Sequence, residues 1–338
     1  MSIFLVDNIV DGVPKALVKV VVTGGAGFIG SYLVEKLVGM GYNVVVIDNF
    51  SSGNPENLRR VSNNPNVKII KFDLKHSGWE KELAEAEAVF HFAANPEVRV
   101  STIEPRIHFN ENVLASFNVL EASRINDVKY VVFASSSTVY GDARKIPTPE
   151  DYTPLEPISV YGASKLAVEY MLITYSKLYG IRSLILRYAN IIGPRLTHGV
   201  IVDFIKKLKA NPRKLEILGD GTQKKSYLYV TDAVDATIHL YKYFKSIKET
   251  YDIYNVGNYD WITVKEIADI IVELMGLRNV EYVYKPATPD GRGWPGDVKL
   301  MLLDISKIVK TGWKPKYTSR QAVELTARAL LSSSKTST

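Results

Sequence analysis

The chain of 338 residues contains no cysteine. Disulfides, thiolate metal sites and a cysteine nucleophile are excluded, and the composition fits an intracellular, cytoplasmic protein. Histidine is scarce too. The five residues, at positions 76, 91, 108, 198 and 239, show neither metal-ligand spacing nor an HExxH pattern, so no metal site is expected. No run approaches the roughly 20 apolar residues of a membrane span. The opening stretch "MSIFLVDNIVDGVPKALV" lacks a basic leader and is interrupted by Asp7 and Asp11, so it does not read as a signal peptide. Repeats and low-complexity tracts are also missing. A net charge of +6 raises the question of nucleic acid, but the cations are scattered through helical patterns rather than gathered in a tract. They read as a solvated surface with no nucleic-acid partner, leaving cations enough for a phosphate-bearing small molecule.

What is present is a rhythm. Apolar, β-branched runs at 18–23, 43–49, 67–74, 88–94, 129–137 and 183–189 alternate with helical patterns at 28–39, 79–86, 104–125 and 160–179. Runs apolar on both faces, separated by helices, imply a parallel sheet covered on both sides. The expected fold is α/β, a Rossmann-type doubly wound parallel sheet with a second, smaller α/β substrate lobe. Residues 1–17 read as an N-terminal extension, 18–189 as the dinucleotide-binding domain, joined by about 228–256, and 334–338 as a tail. The second lobe takes 190–227 and 257–333, where Gly- and Pro-rich segments separate capped helices such as "TVKEIADIIVELMG". There Thr263 and Glu266 have capping-box spacing.

"VKVVVTGGAGFIG" runs a buried strand straight into a glycine-rich turn and a helix. Gly25, Gly27 and Gly30 satisfy G-x-G-x-x-G, and Gly24, Gly27 and Gly30 the related G-x-x-G-x-x-G. Such glycines let backbone N–H groups approach a pyrophosphate at the helix N-terminus. A bare match is also what a structural turn looks like, but here both flanks are right. Asp48, ending the next strand, is placed to accept both adenosine-ribose hydroxyls and to repel a 2′-phosphate, which favours NAD over NADP.

Three tyrosines stand one helical turn ahead of a lysine: Tyr32/Lys36, Tyr161/Lys165 and Tyr241/Lys245. Each is either a solvated helix face or a proton-transfer pair. Only the second follows a strand, "YVVFASSSTVYG", that delivers Ser135, Ser136 and Ser137 to the sheet's carboxyl edge.

The ordered set TGGAGFIG, DN, FDL, HFAAN, ASSSTVYG, YGASK, RYANIIGPR and GDGTQ resembles the extended short-chain dehydrogenases that act on nucleotide sugars, especially the UDP-glucose (UDP-galactose) 4-epimerases. The resemblance covers nearly everything from residue 18 to 330. It implies that Tyr161 is the acid/base, that Lys165 holds the nicotinamide ribose and lowers the phenol's pKa, and that Ser136 hydrogen-bonds the reacting hydroxyl, with Ser137 and Thr138 beside it. Moving a phenol from about 10 to about 7 takes roughly 4 kcal/mol, and an ammonium 4–6 Å away supplies roughly 3–4 kcal/mol at an effective dielectric near 20, the positive nicotinamide ring adding the rest.

The resemblance also implies tightly bound NAD. Gly24, Gly27, Phe28, Ile29 and Gly30 would hold its phosphates, Asp48 and Asn49 its ribose. Asp73, Leu74, Phe92, Ala93, Ala94 and Asn112 would complete the site. On the substrate side, Asn190 would contact a UDP-sugar. Lys225 stands where the family usually has a diphosphate-binding arginine, which keeps the charge and loses the bidentate fork. Arg292 would be a second diphosphate cation, though its spacing to Gly296 exceeds the bacterial epimerase pattern. The implied reaction interconverts UDP-glucose and UDP-galactose through a transient 4-keto sugar. UDP-glucuronate epimerases or decarboxylases and 4,6-dehydratases are the neighbouring activities, and a non-catalytic NAD-binding regulator the distant one. A homodimer is implied, packing helices 104–125 and 160–179 into a four-helix bundle.

Overall fold

The β-branched runs form one seven-stranded, wholly parallel sheet: β1 (Lys19–Thr23), β2 (Asn43–Asp48), β3 (Val67–Lys71), β4 (Ala88–His91), β5 (Tyr130–Ser136), β6 (Arg182–Tyr188) and β7 (Tyr251–Val256). Their spatial order is β3-β2-β1-β4-β5-β6-β7, the doubly wound order whose direction reverses beside β1. The structure is a computed structural model. It describes residues 17–333, and beyond them only an antiparallel pairing of Ile9–Val10 with Val13–Pro14. The expected extension and tail otherwise lie outside the described residues.

Strand periodicity explains why the runs are apolar throughout. Val20, Val22, Val44 and Val46 enter one core, while Val21, Val45, Ile47 and Val89 enter the other. Both sheet faces are therefore buried, as parallel strands require. The longer helices are α1 (Phe28–Gly39), α2 (Ala115–Ile125), α3 (Val160–Tyr179), α4 (Val200–Ala210), α5 (Val230–Ser246), α6 (Val264–Leu274) and α7 (Ser319–Ser333). α1 and α5 cover one face through Leu33, Val34, Leu37, Leu240 and Phe244. α2 and α3 cover the other through Val119, Leu120, Val168 and Leu172.

Two expected helices differ. The 79–86 pattern yields only a 3-10 turn, Glu80–Leu83. Trp79 and Leu83 are buried as the pattern demands, but Glu85 adopts a left-handed φ of 62° and turns the chain back into β4. The 104–125 pattern is helical but irregular. Between Arg106–His108 and α2 it widens into a π-helix, Phe109–Leu114, carrying Asn112.

The second lobe has its own core, in which α4, α6 and α7 pack Ile201, Phe204, Ile267, Ile271 and Val323 together. Lys214–Leu218 pairs in parallel with Glu281–Lys285, and Asn190–Ile192 with Tyr227–Tyr229. The Thr263–Glu266 capping box is formed at the start of α6. Among the described residues, no helix is long and apolar enough to cross a membrane.

Candidate active site

A cavity of about 560 Å³ opens at the carboxyl ends of the strands, between the sheet and the second lobe. Gly24, Gly27, Phe28, Ile29 and Gly30 form one wall where β1 turns into α1. The glycines are needed there. Gly24 has a φ of +69°, and a Cβ on it would lie 2.5 Å from the Ala93 nitrogen. A Cβ on Gly30 would lie 2.2 Å from the Gly24 carbonyl oxygen. The turn thus fits a group that needs close backbone approach at a helix N-terminus, as a dinucleotide pyrophosphate does.

Asp48 lies beside this turn. Its carboxylate accepts from the Ala26 N–H at 2.9 Å and the Phe50 N–H at 2.8 Å. Burial pushes its pKa up, and the two N–H donors pull against that. Each oxygen keeps a lone pair for a ribose hydroxyl. Asn49, Asp73 and Leu74 follow on the wall, with the Asn49 amide donating to Asp73 at 3.2 Å. Strand β3 stops at Lys71, so Asp73 and Leu74 sit in the turn beyond it. Phe92, Ala93 and Ala94 line the cavity just past β4.

Asn112 is placed differently. It is buried and not part of the cavity wall, and its side chain works behind it. Its oxygen accepts from the Asn95 N–H at 2.7 Å, and its amide donates to Ser164 Oγ at 3.0 Å. Ser164 in turn donates to the Tyr161 carbonyl. Asn112 therefore braces the first turn of α3 rather than facing a ligand.

Ser136, Ser137, Thr138, Tyr161 and Lys165 come together on the opposite wall. Ser159 caps α3 by accepting from the Gly162 N–H at 3.1 Å, which holds Tyr161 in the helix's first turn at the sheet edge. Ser136 Oγ accepts from Thr138 Oγ1 at 3.0 Å. Lys165 is buried, donates to the Ala134 carbonyl at 2.8 Å and lies 5.9 Å from the Tyr161 ring centre.

Burial pushes the Tyr161 phenol up to about 12, with the Ser136 hydroxyl pulling the other way. Burial pushes Lys165 down to about 7, against the pull of Glu169. The Lys165 ammonium is itself desolvated and gives one of its three N–H donors to a backbone carbonyl. The other two tyrosine–lysine pairs are structural. Lys36 pairs with Asp235 at 2.8 Å, and Tyr241 and Lys245 share Glu87.

On the second lobe, Asn190 and Lys225 line the cavity. Lys225 is already paired with Asp297 at 2.6 Å. Arg292 does not line it. Its guanidinium is committed to Asp290 at 2.7 Å, Asp142 at 2.9 Å and the Asp297 carbonyl, so it acts as a strut. Arg99, Arg195 and Trp294 line the cavity without having been singled out in the sequence. Arg195 belongs to "NIIGPR", which drew notice only for Asn190. Trp294 has an indole N–H buried without a partner among the described residues and lies between Lys225 at 5.6 Å and Arg99 at 5.7 Å.

The cradle, the selective carboxylate and the Ser-Tyr-Lys group define an NAD-using enzyme site of the short-chain dehydrogenase type. Comparison with known proteins agrees. Residues 20–257 match the model of the NAD dependent epimerase/dehydratase family, and the chain belongs to that family. A UDP-glucose 4-epimerase of Lactobacillus helveticus is 32% identical, over 91% of this chain and 96% of its own. UDP-glucuronic acid decarboxylase 1 of Arabidopsis thaliana is 30% identical, over 92% of this chain and 69% of its own. A crystal structure of a UDP-galactose 4-epimerase superposes with a TM-score of 0.84 at 52% identity, covering 93% of this chain and 99% of that one.

Proposed function

We propose that this protein is a UDP-glucose 4-epimerase, interconverting UDP-galactose and UDP-glucose through a transient 4-keto sugar. The observation that carries this reading is the grouping of Ser136, Tyr161 and Lys165 on one wall, with Ser137 and Thr138 following Ser136. Elimination of water would need an acid–base carboxyl pair at those two positions, and hydroxyls stand there instead. NAD⁺ held by the glycine turn would supply the acceptor, and then the donor, of the C4 hydride. Tyr161 takes the proton of the 4-hydroxyl and returns it after the ketone has turned over, while Ser136 orients that hydroxyl. Lys165 supports the phenolate and the ribose. Asn190 and Lys225 receive the nucleotide diphosphate.

A decarboxylase of UDP-glucuronate is the second reading, favoured by the similarity to the Arabidopsis enzyme. A binding-only regulator would need the glycine turn but not the Ser-Tyr-Lys group. The reading extends to a homodimer, supported by exposed apolar side chains on the expected bundle helices, among them Phe109, Phe117, Ile125, Tyr170 and Leu178. Purified protein without added cofactor, offered a panel of UDP-sugars, should convert UDP-galactose to UDP-glucose. Carbon dioxide from UDP-glucuronate with no turnover of UDP-galactose, or a stable 4-keto-6-deoxy product, would defeat the proposal.

A further inference from the structure

Residues 193–199 link the strand Asn190–Ile192 to α4 of the second lobe, and they run past the start of α1. Arg195, Leu196, Thr197 and His198 line the same cavity as Gly24, Gly27 and Gly30. The strap has no slack at its root, where a Cβ on Gly193 would lie 2.6 Å from Val230 and 3.3 Å from Phe28. Further along, Leu196 packs on the second-lobe core and Arg195 ties the strap to α1. Arg195 donates to Ser31 Oγ at 2.8 Å and to the Glu35 carboxylate, and its guanidinium stacks 4.2 Å from the centre of the Tyr32 ring. Ser31, Tyr32 and Glu35 are the fourth, fifth and eighth residues of α1, whose first residues form the phosphate-binding turn. The arginine and Glu35 are largely sheltered, at 16% and 18% side-chain exposure, so water screens the pair weakly.

We propose that Arg195 is a cofactor-retaining residue. It clamps the 193–199 strap across the mouth of the pyrophosphate cradle, so that NAD leaves only when the Arg195–Ser31–Glu35 contacts open. The guanidinium ties the segment that leads into α4 directly to the helix behind the phosphate-binding turn. The planar fork matters here, because a hydroxyl and a carboxylate are engaged while the face stacks on a ring. The inference rests on the cofactor being NAD and not on which sugar is turned over.

The test is the release rate of radiolabelled NAD from intact holoenzyme, followed by filter binding during a chase with excess unlabelled NAD. Arg195→Ala should speed release at least tenfold, and Glu35→Gln, which cuts the clamp but leaves the cation, should speed it at least threefold. Arg195→Lys should resemble the alanine variant more than wild type. Adenosine lacks the pyrophosphate, so its affinity for stripped protein should change less than twofold in every variant, a readout that general loosening of the fold would move. If Arg195→Ala does not fold, Glu35→Gln decides. Release unchanged in Glu35→Gln overturns the clamp and leaves Arg195 a plain phosphate cation. Loss of adenosine binding in parallel with NAD overturns it in favour of a fold defect. Failure of wild-type protein to hold NAD at all would instead strike at the cofactor reading.

Discussion

Gly27 and Gly30 belong to the same motif, yet the structure gives them different tasks that substitution should separate. A Cβ on Gly30 would sit 2.2 Å from the Gly24 oxygen and 3.0 Å from both the Gly24 carbonyl carbon and the Gly25 Cα. All three are backbone atoms in a turn pinned by the Gly24 N–H donating to the Ile47 carbonyl. Relief therefore requires α1 to move off β1 by about 1 Å, which disturbs the packing of Leu33, Val34 and Leu37. Overpacking of this kind costs about 3 kcal/mol, so Gly30→Ala should lower the melting temperature by roughly 4 °C. A Cβ on Gly27 meets only the Gly24 oxygen, at 3.1 Å. Gly27→Ala should cost less than about 1 kcal/mol of stability, but its methyl occupies cradle space, so NAD binding should weaken tenfold or more. Thermal unfolding of cofactor-free protein and NAD titration read the two effects separately. A Gly30→Ala protein that melts like wild type, or a Gly27→Ala protein that binds NAD normally, would refute the division.

Stripped wild-type protein should bind NAD at least tenfold more tightly than NADP, and Asp48→Ser should narrow that gap; equal binding by wild type would remove the role given to Asp48. Tyr161→Phe should abolish turnover while leaving NAD and UDP-sugar bound, whereas Tyr32→Phe and Tyr241→Phe should retain turnover; comparable loss in either would mean the wrong pair was chosen. Lys165→Ala should raise the apparent pKa of the pH–rate profile and weaken NAD, and an unmoved profile would separate the lysine from the phenol. His91 is buried between Thr23 and Ser116, each 2.7 Å away, and burial, followed by the Lys165 charge, lowers its pKa from 6.5 to about 3. Its folded value lies below the unfolded one, so its contribution is fully present above pH 6.5 and is lost at up to about 1.4 kcal/mol per pH unit from there towards pH 3. Acid titration of wild type against His91→Gln by denaturant unfolding should show that difference shrinking over this window; parallel curves would contradict it.

The sheet was legible because its signal is redundant. The inner strands had to be apolar on both faces, so Val20 and Val21 carry the same message although they point into opposite cores. Strand β7 was less visible, because "YDIYNV" has polar positions that the alternation test discounts and its N-terminal half is only partly buried. The glycine turn, Asp48 and the Ser-Tyr-Lys group were readable because the chemistry restricts both residue type and spacing. The second lobe was not. Arg292 and Lys225 were weighed as isolated loop cations, and whether such a cation is free depends on carboxylates distant in sequence: Asp142 for Arg292, Asp297 for Lys225. Arg195 escaped notice for the same reason, since its partners on α1 lie more than a hundred residues away. Periodicity reports local burial, and pairing of this kind is not local.

The proton chemistry of the site follows from the two opposed shifts. With Tyr161 near 12 and Lys165 near 7, burial alone favours a protonated phenol beside a half-charged lysine. Bringing the phenol to about 7 takes roughly 7 kcal/mol. A fully charged lysine 5.9 Å from the ring centre supplies roughly 3 kcal/mol at an effective dielectric near 20. The first turn of α3, where Tyr161 sits, adds roughly 0.3–2 kcal/mol from the helix dipole. Several kcal/mol remain, and among the described residues no other cation touches the phenol: Ser136 offers a hydroxyl, and His108 packs edge-on at 5.7 Å with burial lowering its pKa. The positively charged ring of oxidised NAD, held beside Tyr161, would supply a term of that sign. Tyr161 should therefore be a competent base only in protein loaded with NAD⁺. Its ionisation, followed by the ultraviolet absorbance of the phenolate against Tyr161→Phe as blank, should fall by two or more pH units on saturation with NAD⁺ and by clearly less with NADH. Equal midpoints with the oxidised and reduced cofactor would mean that the base is activated by something other than the ring charge.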